Sequence, residues 1–167
     1  MGERSHNVLF LCTGNSARSI MAEAILACAG GENFRAFSAG SFPIGKVNPY
    51  AIAQLRQMGY ETVRLRSKSW DEFSAPDAPN IDAVLTVCDN AASESCPTWP
   101  GHPVSAHWGI PDPAAVEGTE AEKRLAFAET YMALKARISK LINLPVQSLE
   151  NSNLKRRLDE IGQTTDG

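Results

Sequence analysis

The sequence lacks most of the features that would send a chain to a membrane, a nucleic acid or a metal. Its first residues, Met1 to Asn7, are polar and mixed in charge, and the apolar run behind them is only Val8 to Leu11. That is far below a signal or spanning segment, so a cytoplasmic location with no membrane partner is expected. Neither sign of charge dominates: Lys and Arg number 16 and Asp and Glu 19, a net charge of -3. No general electrostatic reason to bind nucleic acid or an anionic surface follows, and any anion site has to be local. There is no CxxC, and His6, His102 and His107 do not stand at zinc-like offsets from a cysteine, so no metal is assigned. There are four cysteines, Cys12, Cys28, Cys88 and Cys96. In a chain without a secretion signal they are expected to be reduced at rest, so a pair that oxidises does so as chemistry. No internal repeat, low-complexity block or interdomain linker interrupts the 167 residues, 43% of them hydrophobic, which suits one core.

What is present is an alternation of strand and helix signals. Val8 to Leu11 is a short apolar run of the kind buried on both faces of a parallel sheet. Ser16 to Ala29 follows with Ile20, Met21, Ala24, Ile25 and Cys28 at helical spacing, which places Cys28 in the core, and stops at Gly30-Gly31. Phe34 to Ala39 reads as a second strand. Asn48-Pro49 then supplies an N-cap and an N1 proline for a helix with Ile52, Leu55 and Met58 as its apolar stripe, ended by Gly59. Ile81 to Val87 is a third strand, Asp89 to Ser95 a single weak helix, and Val104 to His107 a fourth strand. Thr119 and Glu122 form a capping box for a long helix with Leu125, Ala128, Met132, Ile138 and Leu141 on one face. Leu149, Leu154, Leu158 and Ile161 continue as a further amphipathic helix before a polar tail from Gln163. Two segments are therefore expected: 1–145 as the main domain and 146–167 as a helical extension and tail. Strands alternating with helices imply an α/β/α sandwich, with functional residues at the carboxyl ends of strands. Cys12 and Cys88 both fall there.

Cys12-Thr13-Gly14-Asn15-Ser16-Ala17-Arg18-Ser19 has the form C-x5-R-S between a strand and a helix. The bare pattern is weak, but its placement is not. A loop this short at a helix N-terminus turns the backbone N–H groups of Thr13 through Arg18 inward as a nest for a tetrahedral anion. Gly14 and Asn15 tolerate the positive φ such a nest requires. Arg18 offers a bidentate guanidinium fork, and the same positive field is expected to lower the pKa of Cys12, whose thiolate is the nucleophile. Ser19 is placed to donate to that sulfur and Ser16 to fix the loop. The competing reading is a buried cysteine followed by a surface arginine.

Cys12 to Ser19, with Met21-Ala22-Glu23 and Ser38-Ala39-Gly40, resembles the low-molecular-weight protein tyrosine phosphatase superfamily from about residue 7 to residue 142. The resemblance implies a three-layer fold around a four-stranded parallel sheet. It also gives Asp112, in Pro111-Asp112-Pro113, the role of general acid, which the isolated dipeptide would not carry because Asp-Pro is commonly a plain turn. Val87-Cys88-Asp89-Asn90-Ala91-Ala92, Cys96-Pro97 and Ala106-His107-Trp108-Gly109 resemble the arsenate reductase branch of that superfamily. By that analogy Cys88 attacks the Cys12 adduct of arsenate and Cys96 attacks Cys88. The resulting disulfide would be reduced by thioredoxin, or by glutathione or mycothiol with a glutaredoxin-like partner, with no bound cofactor. Phosphate and sulfate would act as substrate analogues.

Two departures stand out. Ala17 replaces a cysteine common before the loop arginine, and the stretch from Cys88 to Cys96 differs in length from typical thioredoxin-coupled members. Some relatives bind potassium near residues matching Asn15, Glu23 and Ser38; no metal is claimed here. A tyrosine phosphatase of the same fold is the alternative, although Ala114 and Ala115 stand where aromatic residues would grip a substrate ring. A non-catalytic oxyanion sensor is the reading from a different class. Arg64, Arg66 and Lys68 read as a solvated basic face, and His107 and Trp108 as packing near the acid loop.

Overall fold

The computed structural model describes residues 5–88, 103–144 and 153–163. Four strands, β1 (His6–Leu11), β2 (Phe34–Ala39), β3 (Ala83–Thr86) and β4 (Val104–His107), form one parallel sheet in the order β2-β1-β3-β4. Every residue of β1 and β3 is buried. Side chains alternate between faces along a strand, so complete burial means that both faces are covered, which is the three-layer arrangement expected of a parallel sheet. β3 is shorter than the apolar run Ile81 to Val87 suggests. The flanking residues still pair with β1: Asp82 N–H donates to Asn7 O at 2.8 Å and Val87 N–H to Leu11 O at 2.9 Å.

The helices are α1 (Arg18–Ala29), α2 (Pro49–Gln57), α3 (Glu120–Ile142) and α4 (Asn153–Gly162), with short 3-10 turns at Trp70–Phe73 and Pro113–Ala115. α2 begins as its sequence dictates, with Asn48 Oδ1 accepting from Tyr50 N–H at 2.8 Å and Pro49 at its first position, and Gly59 follows it at φ 90°. α3 opens on the Thr119/Glu122 capping box. Its buried stripe is Phe127, Tyr131, Leu134, Ile138 and Leu141, whereas Leu125 and Met132 are exposed. The expected stripe is thus half wrong. Apolar residues occupy more than one face of this helix, and period alone does not say which face meets the sheet. Met58 is also exposed, because Ala51 and Leu55 supply the contact of α2. Cys28 is exposed as well, two residues beyond Leu26, the last buried residue of α1, and does not belong to the core.

α4 joins the same core. Leu154, Leu158 and Ile161 are buried, and the Trp108 indole N–H donates to Leu158 O at 2.9 Å. Gly162 lies so close to β4 that a Cβ there would stand 2.5 Å from His107 O. The expected Asp89–Ser95 helix, Leu149, and the tail beyond Gln163 lie outside the described residues. Among the described residues no helix is long and apolar enough to cross a membrane.

Candidate active site

β1 has neighbours on both sides, with β2 reached by one crossover and β3 by the next, so a topological switch point lies between β1 and β3. Register pairs Leu11 with Thr86, so the next residues of both strands leave the sheet side by side. Cys12 and Cys88 are carried there together, and both are buried. The Thr13 N–H donates to Cys88 Sγ at 3.3 Å, and Cys88 is the neighbour that most perturbs the Cys12 thiol.

From Cys12 the chain wraps into a loop with three of its carbonyls held by residues 42–48. Thr13 O accepts from Phe42 N–H at 3.0 Å, Gly14 O from Ile44 N–H at 3.0 Å, and Ser16 O from Asn48 N–H at 2.9 Å. With those carbonyls engaged, the loop leads into α1, which begins with no side-chain cap on its first N–H groups. α1 starts at Arg18 and not at Ser16, because residues 12–17 are spent on this turn. Only Asn15 takes a positive φ, 45°; Gly14 does not need one. Gly40 matters through proximity instead: a Cβ at that position would sit 2.4 Å from Thr13 O and 2.7 Å from Cys12 O. Glycine lets the end of β2 support the loop from behind.

Arg18 reaches across the mouth. Its Nη1 donates to Ile110 O at 2.8 Å and its Nη2 lies 3.8 Å from Asp112 Oδ2. An ion pair of that length with a carboxylate 43% exposed contributes only about 0–1 kcal/mol, so it orients Asp112 without locking it. The other carboxylate oxygen accepts from Ala114 N–H at 3.0 Å. The structure therefore brings Cys12, Thr13, Arg18, Cys88 and Asp112 to one mouth. Ser19 is fully buried and accepts from Asn15 Nδ2 at 2.8 Å. Cys96 lies outside the described residues.

The family model for low-molecular-weight phosphotyrosine protein phosphatases matches residues 7–156. The chain belongs to that family. Among its relatives is an arsenate reductase of Bacillus licheniformis, 38% identical over 134 residues that make up 80% of this chain and 92% of the relative. A crystal structure of arsenate reductase from Archaeoglobus fulgidus superimposes with a TM-score of 0.61 at 30% identity, covering 82% of this chain and 99% of that one. A thioredoxin-dependent arsenate reductase of Corynebacterium glutamicum shares the fold at 22% identity, with a TM-score of 0.61 over 90% of this chain and 64% of that one.

Two expectations about this family member's site need correction. The Cys12 pKa is raised, not lowered: the hydrogen bond with Cys88 contributes most and burial next, and together they outweigh the opposing charge of Arg18 and the Gly14 N–H. Two thiols this close in a buried site resist carrying two negative charges. Lys68 is the second correction, for it is no part of a solvated face. It is buried, its Nζ lying 3.0 Å from Arg66 O, 3.4 Å from Ser38 Oγ and 3.6 Å from Glu23 Oε1. Burial pushes its pKa down, opposed first by Glu23. Arg66, its neighbour in sequence, does stay exposed and pairs with Glu72 at 2.6 Å.

Lys68 also bears on the potassium that the resemblance associates with Asn15, Glu23 and Ser38. In this chain an ammonium already lies against Glu23 and Ser38 and supplies the positive charge, so these residues do not fit an added cation. Among the described residues no group of three or more His, Cys, Asp or Glu side chains could hold a metal.

Arg137 is the other side chain whose position the sequence does not reveal. Buried on α3, its Nη1 reaches Trp108 O at 3.4 Å and Gly109 O at 3.3 Å. With Arg18 on Ile110 O, two arginines hold three successive carbonyls of the segment that leads to Asp112. Trp108 itself packs against Phe10 and α4, and His107 Nδ1 lies 2.7 Å from Thr86 Oγ1.

Proposed function

We propose that this chain reduces arsenate to arsenite, using Cys12 as the nucleophile, Cys88 as the resolving thiol and Asp112 as the general acid. The observation that carries the reading is the second thiol: Cys88 Sγ accepts from the Thr13 N–H of the same loop that offers its amides to an oxyanion, at the end of the strand paired with the one that carries Cys12. Hydrolysis of a phosphate ester has no use for a thiol there. Reduction requires one. The arsenate reductases among the relatives, up to 38% identical, support the same substrate.

In the proposed sequence, the oxyanion lies against the amides of Thr13 through Arg18 with the Arg18 guanidinium on two of its oxygens. Cys12 Sγ bonds to arsenic, and one arsenic–oxygen bond breaks, the oxygen leaving as water with a proton from Asp112. Cys88 thiolate then attacks Cys12 Sγ. A sulfur–sulfur bond forms, the sulfur–arsenic bond breaks, and arsenic keeps the electron pair, passing from the pentavalent to the trivalent state while two thiols become one disulfide. Cys96 thiolate attacks Cys88 Sγ in turn and releases Cys12. The Cys88–Cys96 disulfide is the substrate of an external reductant, thioredoxin in the first instance, or glutathione or mycothiol with a glutaredoxin-like protein.

Cys12, Arg18 and Asp112 by themselves are the set needed for phosphate monoester hydrolysis, so slow turnover of an aryl phosphate is expected as a second activity. The deciding experiment is arsenate-dependent NADPH oxidation with the thioredoxin and glutaredoxin systems supplied separately. Turnover in one of them supports reduction. Absence of turnover in both, with aryl phosphate hydrolysis intact, would make the chain a phosphatase, and oxyanion binding with neither activity would make it a sensor.

A further inference from the structure

Behind the oxyanion loop lies a buried polar cluster whose side chains take no part in the reaction above. Asn15, the one loop residue with a positive φ, is fully buried and uses its whole amide: Nδ2 donates to Ser19 Oγ at 2.8 Å and to Ser38 Oγ at 3.1 Å, and Oδ1 accepts from the Lys68 N–H at 2.8 Å. Ser38 Oγ donates to Glu23 Oε1 and receives Lys68 Nζ. The Lys68 carbonyl accepts from Gly40 N–H at 2.9 Å, and Gly40 pairs with Ser69 as a bridge that carries the Lys68 segment alongside β2. One residue thus holds the loop twice, through its backbone on Asn15 and through its ammonium on Ser38 and Glu23.

The Glu23 carboxylate is four-fifths buried and its charge needs a cation close by. Were it unpaired, its second-best course would be to draw the Ser38 and Asn15 groups toward itself or to take up a proton. Either way the hydrogen bonds that keep Asn15 in the left-handed conformation would change. An Asn can adopt that conformation more readily than most residues, but it needs fixed partners to stay in it.

We infer that Lys68 is a positioning residue of the oxyanion loop, its ammonium serving as a built-in cation that holds Glu23, Ser38 and Asn15 in register so that the loop amides converge. It follows that oxyanion binding by the native chain does not depend on an added monovalent cation. The inference rests on reading residues 12–18 as an oxyanion loop and not on the redox step, so it stands or falls separately from arsenate reduction.

The test is protection of Cys12 from iodoacetamide by inorganic phosphate, read in the full-length chain by mass spectrometry of the Cys12 peptide. The native chain is expected to give the same half-protecting phosphate concentration in potassium chloride and in choline chloride of equal ionic strength. Lys68→Met, similar in size and without charge, is expected to need about tenfold more phosphate, roughly 1.4 kcal/mol. Lys68→Ala should show the same loss and recover most of it when ethylammonium chloride is added, which a merely structural role of the side chain would not produce. A native chain whose protection improves with potassium would overturn the inference without any variant having to fold. So would a Lys68→Met protein protected as well as the native one, or a folded Lys68→Ala protein that ethylammonium leaves unchanged.

Discussion

The mouth and the back of the oxyanion loop are built in opposite ways. At the mouth the contacts among the proposed reacting groups are long, 3.3 Å from the Thr13 N–H to Cys88 Sγ, 3.7 Å from that sulfur to Thr13 Oγ1 and 3.8 Å between Arg18 and Asp112, with Arg18 itself anchored on Ile110 O at 2.8 Å. At the back, the Asn15 amide makes three hydrogen bonds of 2.8–3.1 Å, Ser38 donates to Glu23, and the Lys68 ammonium lies against both at 3.4 and 3.6 Å. In the proposed sequence the mouth is where bonds to sulfur form and break and a proton moves, so loosely held groups suit it. The back has to stay as it is while that happens, and dense hydrogen bonding in a buried site gives it the needed rigidity.

The comparison can be broken most severely at the mouth. Cys12→Ser is expected to reduce both arsenate reduction and aryl phosphate hydrolysis to background, while Cys88→Ser abolishes only the first and leaves the second within about tenfold of the native rate. Assaying both substrates on both variants checks this, and equal losses in Cys88→Ser would erase the distinction between the two thiols. Asp112→Asn comes next, expected to lower both activities by about 10²–10⁴-fold in kcat and to leave phosphate binding nearly intact, which steady-state kinetics and phosphate titration would separate.

A smaller effect sharpens the account of the thiol pair. Because the Cys88 hydrogen bond is the largest cause of the raised Cys12 pKa, Cys88→Ala should lower that pKa. A lower pKa means more thiolate at a given pH, so the pH profile of Cys12 alkylation by iodoacetamide should move to lower pH in the variant. An unmoved profile, or one moved to higher pH, would remove Cys88 as the cause. The smallest expected change is at the back: Gly40→Ala forces a Cβ against Thr13 O and should cost about 1–3 kcal/mol, seen as a lower Tm with weaker phosphate binding.

The sequence made the mouth far more legible than the back. The strand run ending at Cys12, the spacing to Arg18 and the helix behind it are local features, and each is repeated in the structure within a residue or two. The four-strand sheet was equally readable, because β1 and β3 are short apolar runs between turn signals. Lys68 was not readable. It follows Arg64 and Arg66 in a basic stretch that looks solvated, and only the bridge from Gly40 to Ser69, a long-range pairing, turns it inward. Arg137 was hidden for a related reason, as a cation on a helix whose apolar residues lie on more than one face. Cys28 failed the other way, since periodicity on α1 does not show that the last turn runs past the edge of the core.

The central claim is that Cys88 takes over the sulfur of Cys12 from arsenic, and a single turnover without any reductant tests it most directly. Cys96→Ser protein, reduced and freed of thiols, would be mixed with one equivalent of arsenate, quenched in acid, and analysed for arsenite and by peptide mapping. One arsenite per chain with a Cys12–Cys88 disulfide is the predicted result. Arsenite formed with Cys12 and Cys88 both still free, or a disulfide joining Cys12 to any other cysteine, would contradict it.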